Sequence, residues 1–301
     1  MSELLKLSGL GKKFGKKRVL EDVSFVVEPG RVYGLLGLNG EGKTTLARIL
    51  MGVIPADRGA VLFKGETLRF GAAAYKREVG FVPEDSFFYG WMKVGELLRL
   101  NASFYPKWDA DRVRAMGENL GLDPKARIRT LSRGQKLKLG LVAAIGAAPD
   151  LLILDDPTSG LDVPTRHDFL RGVIRDLAER GTAVLFATHM VHELERIADH
   201  LIILQGGRII LDRRFEEVKA ATRRVKLWFD GEAPEWPGIE GTLSVEREAG
   251  RLEAVVYPWN GAAEDGIRSL APTRIEVEPL SLEEIFVGFV GSGPARPTAR
   301  S

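Results

Sequence analysis

Two early apolar runs, residues 19–27 and 32–36, are separated by Glu28, Pro29, Gly30 and Arg31, a turn-forming cluster, and both runs are predicted strands. From Thr44 the apolar spacing changes to a helical one, TTLARILMG, which stops at Gly52. The order is therefore strand, glycine-rich loop, helix. Residues 95–148 are mostly helical in pattern, and the unbroken apolar runs 151–154 and 183–188 then predict parallel strands buried on both faces. This alternation predicts an α/β core carrying an inserted helical subdomain over about 85–148. Residues 201–211 predict two strands about Gly206 and Gly207, and the charged segment 212–220 predicts a short helix closing a first domain of residues 1–220. Downstream, 224–229, 241–246 and 252–257 have strand character, while 264–270 and 281–290 have helical character. A small α+β domain is thus expected over 221–290, followed by a disordered tail at 291–301 built from Gly, Pro, Ser and Arg.

Composition narrows the possible chemistry. The chain has 301 residues, 45% hydrophobic and 28% charged, enough for a large core and for two domains. Its 43 Lys and Arg against 41 Asp and Glu leave a net charge of +2, so bulk charge points neither to nucleic acid nor to an anionic membrane. Cysteine is absent, which excludes disulfides, thiolate catalysis and Cys-ligated zinc. Glu3 and Lys6 interrupt the first apolar residues as no signal peptide would, so the chain is expected to start in the cytosol. The most apolar stretch, 139–154, contains Pro149 and Asp150 and falls short of the ~20 residues of a membrane span, so none is expected.

The glycine-rich loop reads Gly37-Leu38-Asn39-Gly40-Glu41-Gly42-Lys43-Thr44, which fits G-x-x-x-x-G-K-[ST] between a predicted strand and a predicted helix. In that setting the glycines let backbone N–H groups wrap phosphates. Lys43 neutralises the β and γ oxygens, and Thr44 offers a hydroxyl to Mg²⁺. Asp155 ends the buried run 151–154, where α/β sheets present ligand-binding carboxylates, and is the second expected Mg²⁺ residue. No N-K-x-D guanine signature is present, which favours ATP over GTP.

Taken together, Gly37 to Thr44, Leu131-Ser132-Arg133-Gly134-Gln135, the run Leu154-Asp-Asp-Pro-Thr-Ser-Gly-Leu-Asp162 and Thr188-His189 resemble the ATP-binding cassette family over about residues 1–220. The resemblance implies a P-loop NTPase core with its helical insertion, plus the accessory C-terminal domain. It implies an ATPase subunit of a membrane exporter, bound to separate transmembrane permease subunits at the inner face of the cell membrane, with no nucleic acid partner. ATP contacts would come from Phe14, the loop 37–44 and Thr45, with Phe14 stacking on adenine. Two cassettes, in a homodimer or heterodimer, would pair so that Ser132, Arg133, Gly134 and Gln135 of one close on the nucleotide held by the other, with Asp162 in the loop between them. His189 would contact the γ-phosphate and the attacking water. Ser132 is also a plain N-cap candidate, and the basic surroundings of Phe14 also fit a solvated β-turn.

Two positions depart from the family pattern. Asp156 stands where a catalytic Glu is usual, one methylene shorter, and Glu84 in Val82-Pro83-Glu84 stands where a Gln that touches Mg²⁺ is usual. General-base catalysis is worth about 10²–10⁴-fold, so a withdrawn carboxylate predicts slow hydrolysis, or else a nucleotide-gated regulatory subunit that scarcely turns over. His192, spaced from His189 as H-x-x-H, lacks a third ligand for zinc, and His167 and His200 read as surface residues. Aromatics crowd residues 87–91 and 104–108, near where the resemblance places a permease contact. Together with Val82-Pro83-Glu84 and the terminal Pro279-Leu-Ser-Leu-Glu-Glu-Ile-Phe286, they are similar to the ABC-2-type exporter ATPases, including a drug or antibiotic-response branch.

Overall fold

The computed structural model describes residues 3–71, 73–84, 88–158 and 169–291, omitting the side chains of 73, 74 and 169–171. Two compact units divide the chain at 209/210.

In the first unit, β1 (Leu5–Phe14) and β2 (Lys17–Val27) form a hairpin that turns at Gly15 and Lys16, and β3 (Val32–Leu36) leads to the glycine-rich loop and α1 (Lys43–Leu50). β4 (Arg58–Phe63) and β5 (Glu66–Thr67) complete an antiparallel sheet ordered β2-β1-β4-β5. After α2 (Ala73–Lys76) come β6 (Val79–Val82), α3 (Val94–Ala102), α4 (Ala110–Asn119) and α5 (Arg133–Gly146). Then follow β7 (Leu151–Asp155), α6 (Arg175–Glu179), β8 (Ala183–Thr188), α7 (Val191–Leu194) and β9 (His200–Gln205). β10 (Arg208–Arg214) crosses the unit boundary and ends a six-stranded sheet ordered β10-β9-β3-β8-β7-β6, parallel from β9 to β6.

The continuous apolar runs explain this layering. Every residue of β3, β7 and β8 is buried, which a strand needs when both faces are covered. One apolar edge of α1, Leu46, Ala47, Ile49 and Leu50, joins a core contributed by both sheets. A separate core, including Val94, Leu97, Val113, Leu139 and Val142, holds α3, α4 and α5 together. β2 covers the strand expected over 19–27, whereas β1 and β4 were not among the expected elements; in β1 the lysines and glycines interrupt the alternation.

The second unit pairs β11 (Arg223–Trp228), β12 (Thr242–Glu248), β13 (Arg251–Val256) and β14 (Arg274–Pro279) in an antiparallel sheet ordered β12-β13-β11-β14. Three helices accompany it: α8 (Phe215–Ala221), α9 (Gly261–Arg268) and α10 (Leu282–Gly291). Val225, Leu227, Leu252 and Ile267 form its core. Three details differ from expectation. Residues 212–214 continue β10, since Arg214 is extended and the helix starts only at Phe215. The boundary lies ahead of α8 instead of at 220, and Ala221 O accepts from Trp259 N at 2.7 Å, building that helix into the second unit. Gly291 closes α10, and the rest of the expected tail lies outside the described residues.

Packing between α4 and α5 yields a test. A Cβ on Gly146 would stand 2.3 Å from Val113 Cγ2 and 2.9 Å from a Trp108 ring atom. The helix-propensity gain of Gly→Ala is about 1 kcal/mol, whereas overpacking costs about 1–3 kcal/mol. Gly146→Ala is therefore expected to lower the urea midpoint by the equivalent of about 1 kcal/mol; an unchanged or higher midpoint would contradict this packing.

Candidate active site

The loop after β3 is shaped by glycines at positions other residues would disturb. Gly40 (φ 86°) and Gly42 (φ 108°) are left-handed, and a Cβ at Gly42 would press on Leu20 Cδ2 at 2.8 Å. Gly42 leads straight into α1, whose first turn holds no acidic side chain, so its N–H groups and dipole favour an anion. Glu41 fastens the loop from behind by accepting from Gly206 N.

Lys43, only 5% exposed, folds its ammonium back onto the loop, donating to Gly37 O at 2.7 Å and Leu38 O at 3.2 Å. Burial lowers its pKa, opposed by the charges of Asp156, Asp155, Glu41 and Glu84. Asp155 ends β7 at 1% exposure, and burial pushes its carboxyl above the usual range. The Thr44 hydroxyl and Lys43 pull it down, while Asp156 and Glu84 push it up. Among the described residues, neither Asp155 oxygen completes a hydrogen bond. A buried carboxylate with unpartnered oxygens beside a threonine hydroxyl fits Mg²⁺, which takes one or two protein ligands and completes its shell with phosphate and water.

Beyond Asp155 the chain bends sharply. Asp156 has φ 45°, unusual for a residue with a Cβ, and its N donates to Ala187 O at 2.8 Å. Its Oδ1 lies 3.0 Å from His189 Nδ1 and accepts from His189 N at 3.3 Å. The structure thus brings Lys43, Thr44, Asp155, Asp156 and His189 to neighbouring loops and strand ends. Ser132 caps α5, exchanging bonds with Gln135 N and Gln135 Oε1, so the N-cap role expected of it is observed. Glu84 stands half-exposed with Arg133 Nη2 3.9 Å from its Oε1. Phe14 is 52% exposed at the hairpin end, with Lys12 Nζ 5.4 Å over its ring.

Asp162 and His167 lie outside the described residues. His200 corrects its surface reading: it is half-buried, its ring tilted 35° and 5.1 Å from that of Tyr33. Thr158 and Glu193, absent from the candidate residues, form a buried pair behind Asp156, and no local sequence signal marks them.

A phosphate loop at the carboxyl ends of a parallel sheet, with a buried carboxylate on a neighbouring strand, defines a P-loop nucleotide-binding cassette. Residues 20–159 match the family model described as ABC transporter. The chain is 30% identical over 289 residues to the ABC transporter ATP-binding protein YtrB of Bacillus subtilis, covering 96% of this chain and 98% of that protein. It is 30% identical over 293 residues to the Nod factor export ATP-binding protein I of Rhizobium etli, covering 94% and 92%. A solved ATP-binding subunit of an ABC transporter superposes with TM-score 0.67 at 31% identity, covering 72% of this chain and 92% of that one. This chain belongs to the ABC transporter ATP-binding proteins. The family binds and hydrolyses ATP, and among the described residues no helix is long and apolar enough to cross a membrane.

The unpartnered carboxylate makes a signed prediction. A carboxyl with raised folded-state pKa costs nothing at pH values below the ordinary carboxylate range, and its penalty is complete once pH exceeds the raised pKa. At pH 7 without nucleotide, Asp155→Asn is expected to raise stability by roughly 1–2 kcal/mol, with the gain vanishing near pH 3. Thermal melting across pH checks this. A lower melting temperature at pH 7 would mean that Asp155 is already satisfied by protein groups.

Proposed function

We propose that this chain is the ATP-hydrolysing subunit that drives a membrane exporter. The observation that carries the reading is the buried Asp155 beside Lys43 and Thr44, two opposite charges desolvated where a phosphate loop meets a strand end. Lys43 and the loop amides bind the phosphates, and Thr44 with Asp155 would hold Mg²⁺, which when bound neutralises charge on the transferring phosphoryl group. Asp156 takes the proton of the attacking water, and His189, hydrogen-bonded to its Oδ1, orients it. Ser132 and Gly134 of a second cassette close over the same nucleotide, making ATP part of the dimer interface.

Export is supported by the name of the Rhizobium relative and by a docking surface of suitable chemistry. Tyr89, Trp91 and Phe104 are each more than 60% exposed, and a cavity of about 380 Å³ between α3 and α4 is lined by Val94, Leu98, Trp108 and Leu122. Large exposed aromatics and an apolar cavity within one helical subdomain fit a protein-interaction site, here for the separate permease subunits that carry the substrate path.

A second reading, a slowly hydrolysing regulatory subunit, is favoured by one specific feature. Asp156 is short and already engaged by His189, so its reach toward water is reduced. Single-turnover hydrolysis by the full chain with its permease separates the two readings. Asp156→Glu is expected to raise the rate, and Asp156→Asn to lower it about 10²–10⁴-fold with ATP affinity little changed. Unchanged turnover in Asp156→Asn would remove Asp156 from the base role. The hydrolysis-deficient Asp156→Asn chain is also expected to sediment as a dimer with MgATP and as a monomer with MgADP; equal mass in both would reject the nucleotide-sandwich interface.

A further inference from the structure

Behind the candidate base lies a fully buried acid that phosphate binding does not employ. Glu193, on the short helix α7, is 0% exposed. Its Oε1 accepts a hydrogen bond from Thr158 Oγ1, and its Oε2 lies 3.4 Å from the Thr188 hydroxyl. Both hydroxyls are themselves inaccessible, Thr158 at 1% and Thr188 at 0%. Thr188 Oγ1 in turn accepts from Met190 N at 3.0 Å, so the turn leading from β8 into α7 is closed upon itself.

The position of this network matters more than its mere burial. Thr158 lies two residues beyond Asp156, and Thr188 immediately precedes His189. β7 and β8 are neighbours, with Asp155 opposite Ala187. Past their ends the two chains are linked twice, once through Asp156 and His189 and once through Thr158, Glu193 and Thr188. Asp156 also holds a left-handed backbone, a conformation that persists only where its surroundings over-determine it. The Asp156 N bond to Ala187 O supplies one restraint, and the network fixing Thr158 supplies the next along the chain.

We infer that Glu193 is a positioning residue that clamps the chain on both sides of the Asp156–His189 pair and so sets the aim of the candidate base. It touches neither nucleotide nor water in this role; it acts through Thr158 and Thr188. A buried carboxylate suits the task because its two oxygens accept from two hydroxyls at once, and loss of either partner leaves a polar group stranded in the core. The inference rests on the assignment of Asp156 and His189 as the water-orienting pair.

The test uses the full chain with its permease and measures single-turnover hydrolysis and ATP affinity separately. Glu193→Ala and Thr158→Val are expected to lower the rate about 10–100-fold, the usual cost of removing a supporting partner, with ATP affinity within about twofold. Thr158→Val keeps the side-chain volume and serves where Glu193→Ala fails to fold. In an Asp156→Asn background, Thr158→Val is expected to cause little further loss, because its effect runs through Asp156. A full multiplicative loss in that background, or a fall in ATP affinity matching the fall in rate, would overturn the positioning role. Intact turnover in Asp156→Asn alone would instead overturn the base assignment on which the inference stands.

Discussion

The arrangement of the first unit turns on burying two opposite charges where the parallel strands end. Lys43 and Asp155 are both nearly inaccessible, and burial works against each, lowering the lysine pKa and raising that of the carboxyl. Lys43 donates to two loop carbonyls, whereas among the described residues neither Asp155 oxygen completes a hydrogen bond. Desolvating two opposite charges is costly, and the proposed phosphate and Mg²⁺ would offset that cost. The fold supplies the means: strands β3, β7 and β8, buried throughout, hold the charged residues at fixed neighbouring positions beside one helix terminus.

In the proposed mechanism the same geometry links binding to hydrolysis. Asp156 follows the orphaned carboxylate directly, and its left-handed turn moves its side chain from the strand axis onto His189. In that mechanism an Asp has less reach than a Glu would, but Asp156 has a defined partner in His189, and Thr158 of the buried Thr158–Glu193–Thr188 network lies two residues beyond it. Glu84 and Arg133 bring a further charge pair to the edge of this region, both half-exposed, where solvent screening leaves such pairs worth little on their own.

Legibility in the sequence followed locality. The phosphate loop, Asp155 and the start of α5 were readable because each is a contiguous pattern whose chemistry demands fixed spacing. Strands β3 and β8 fell on their predicted residues because burial on both faces leaves a continuous apolar signature. β1 was missed because Gly9, Gly11 and its lysines break the alternation, and it owes its form to pairing with β2 and β4. Glu193 was invisible for a different reason. In sequence it is one more acid in a charged helical segment, and only the return of α7 beneath the end of β7 buries it against Thr158. His200 was misread likewise, because its ring packs on Tyr33 from a strand far along the chain.

The claim that the buried pair awaits phosphate and metal jointly is tested most directly by titrating ATP into the full chain with Mg²⁺ present and with Mg²⁺ chelated. If Asp155 is held unpartnered for the metal, chelation weakens ATP binding at least tenfold, about 1.4 kcal/mol, and Asp155→Asn abolishes that difference. Equal affinity with and without Mg²⁺ in the wild-type chain would contradict it, leaving Lys43 and the loop as the whole of the phosphate site.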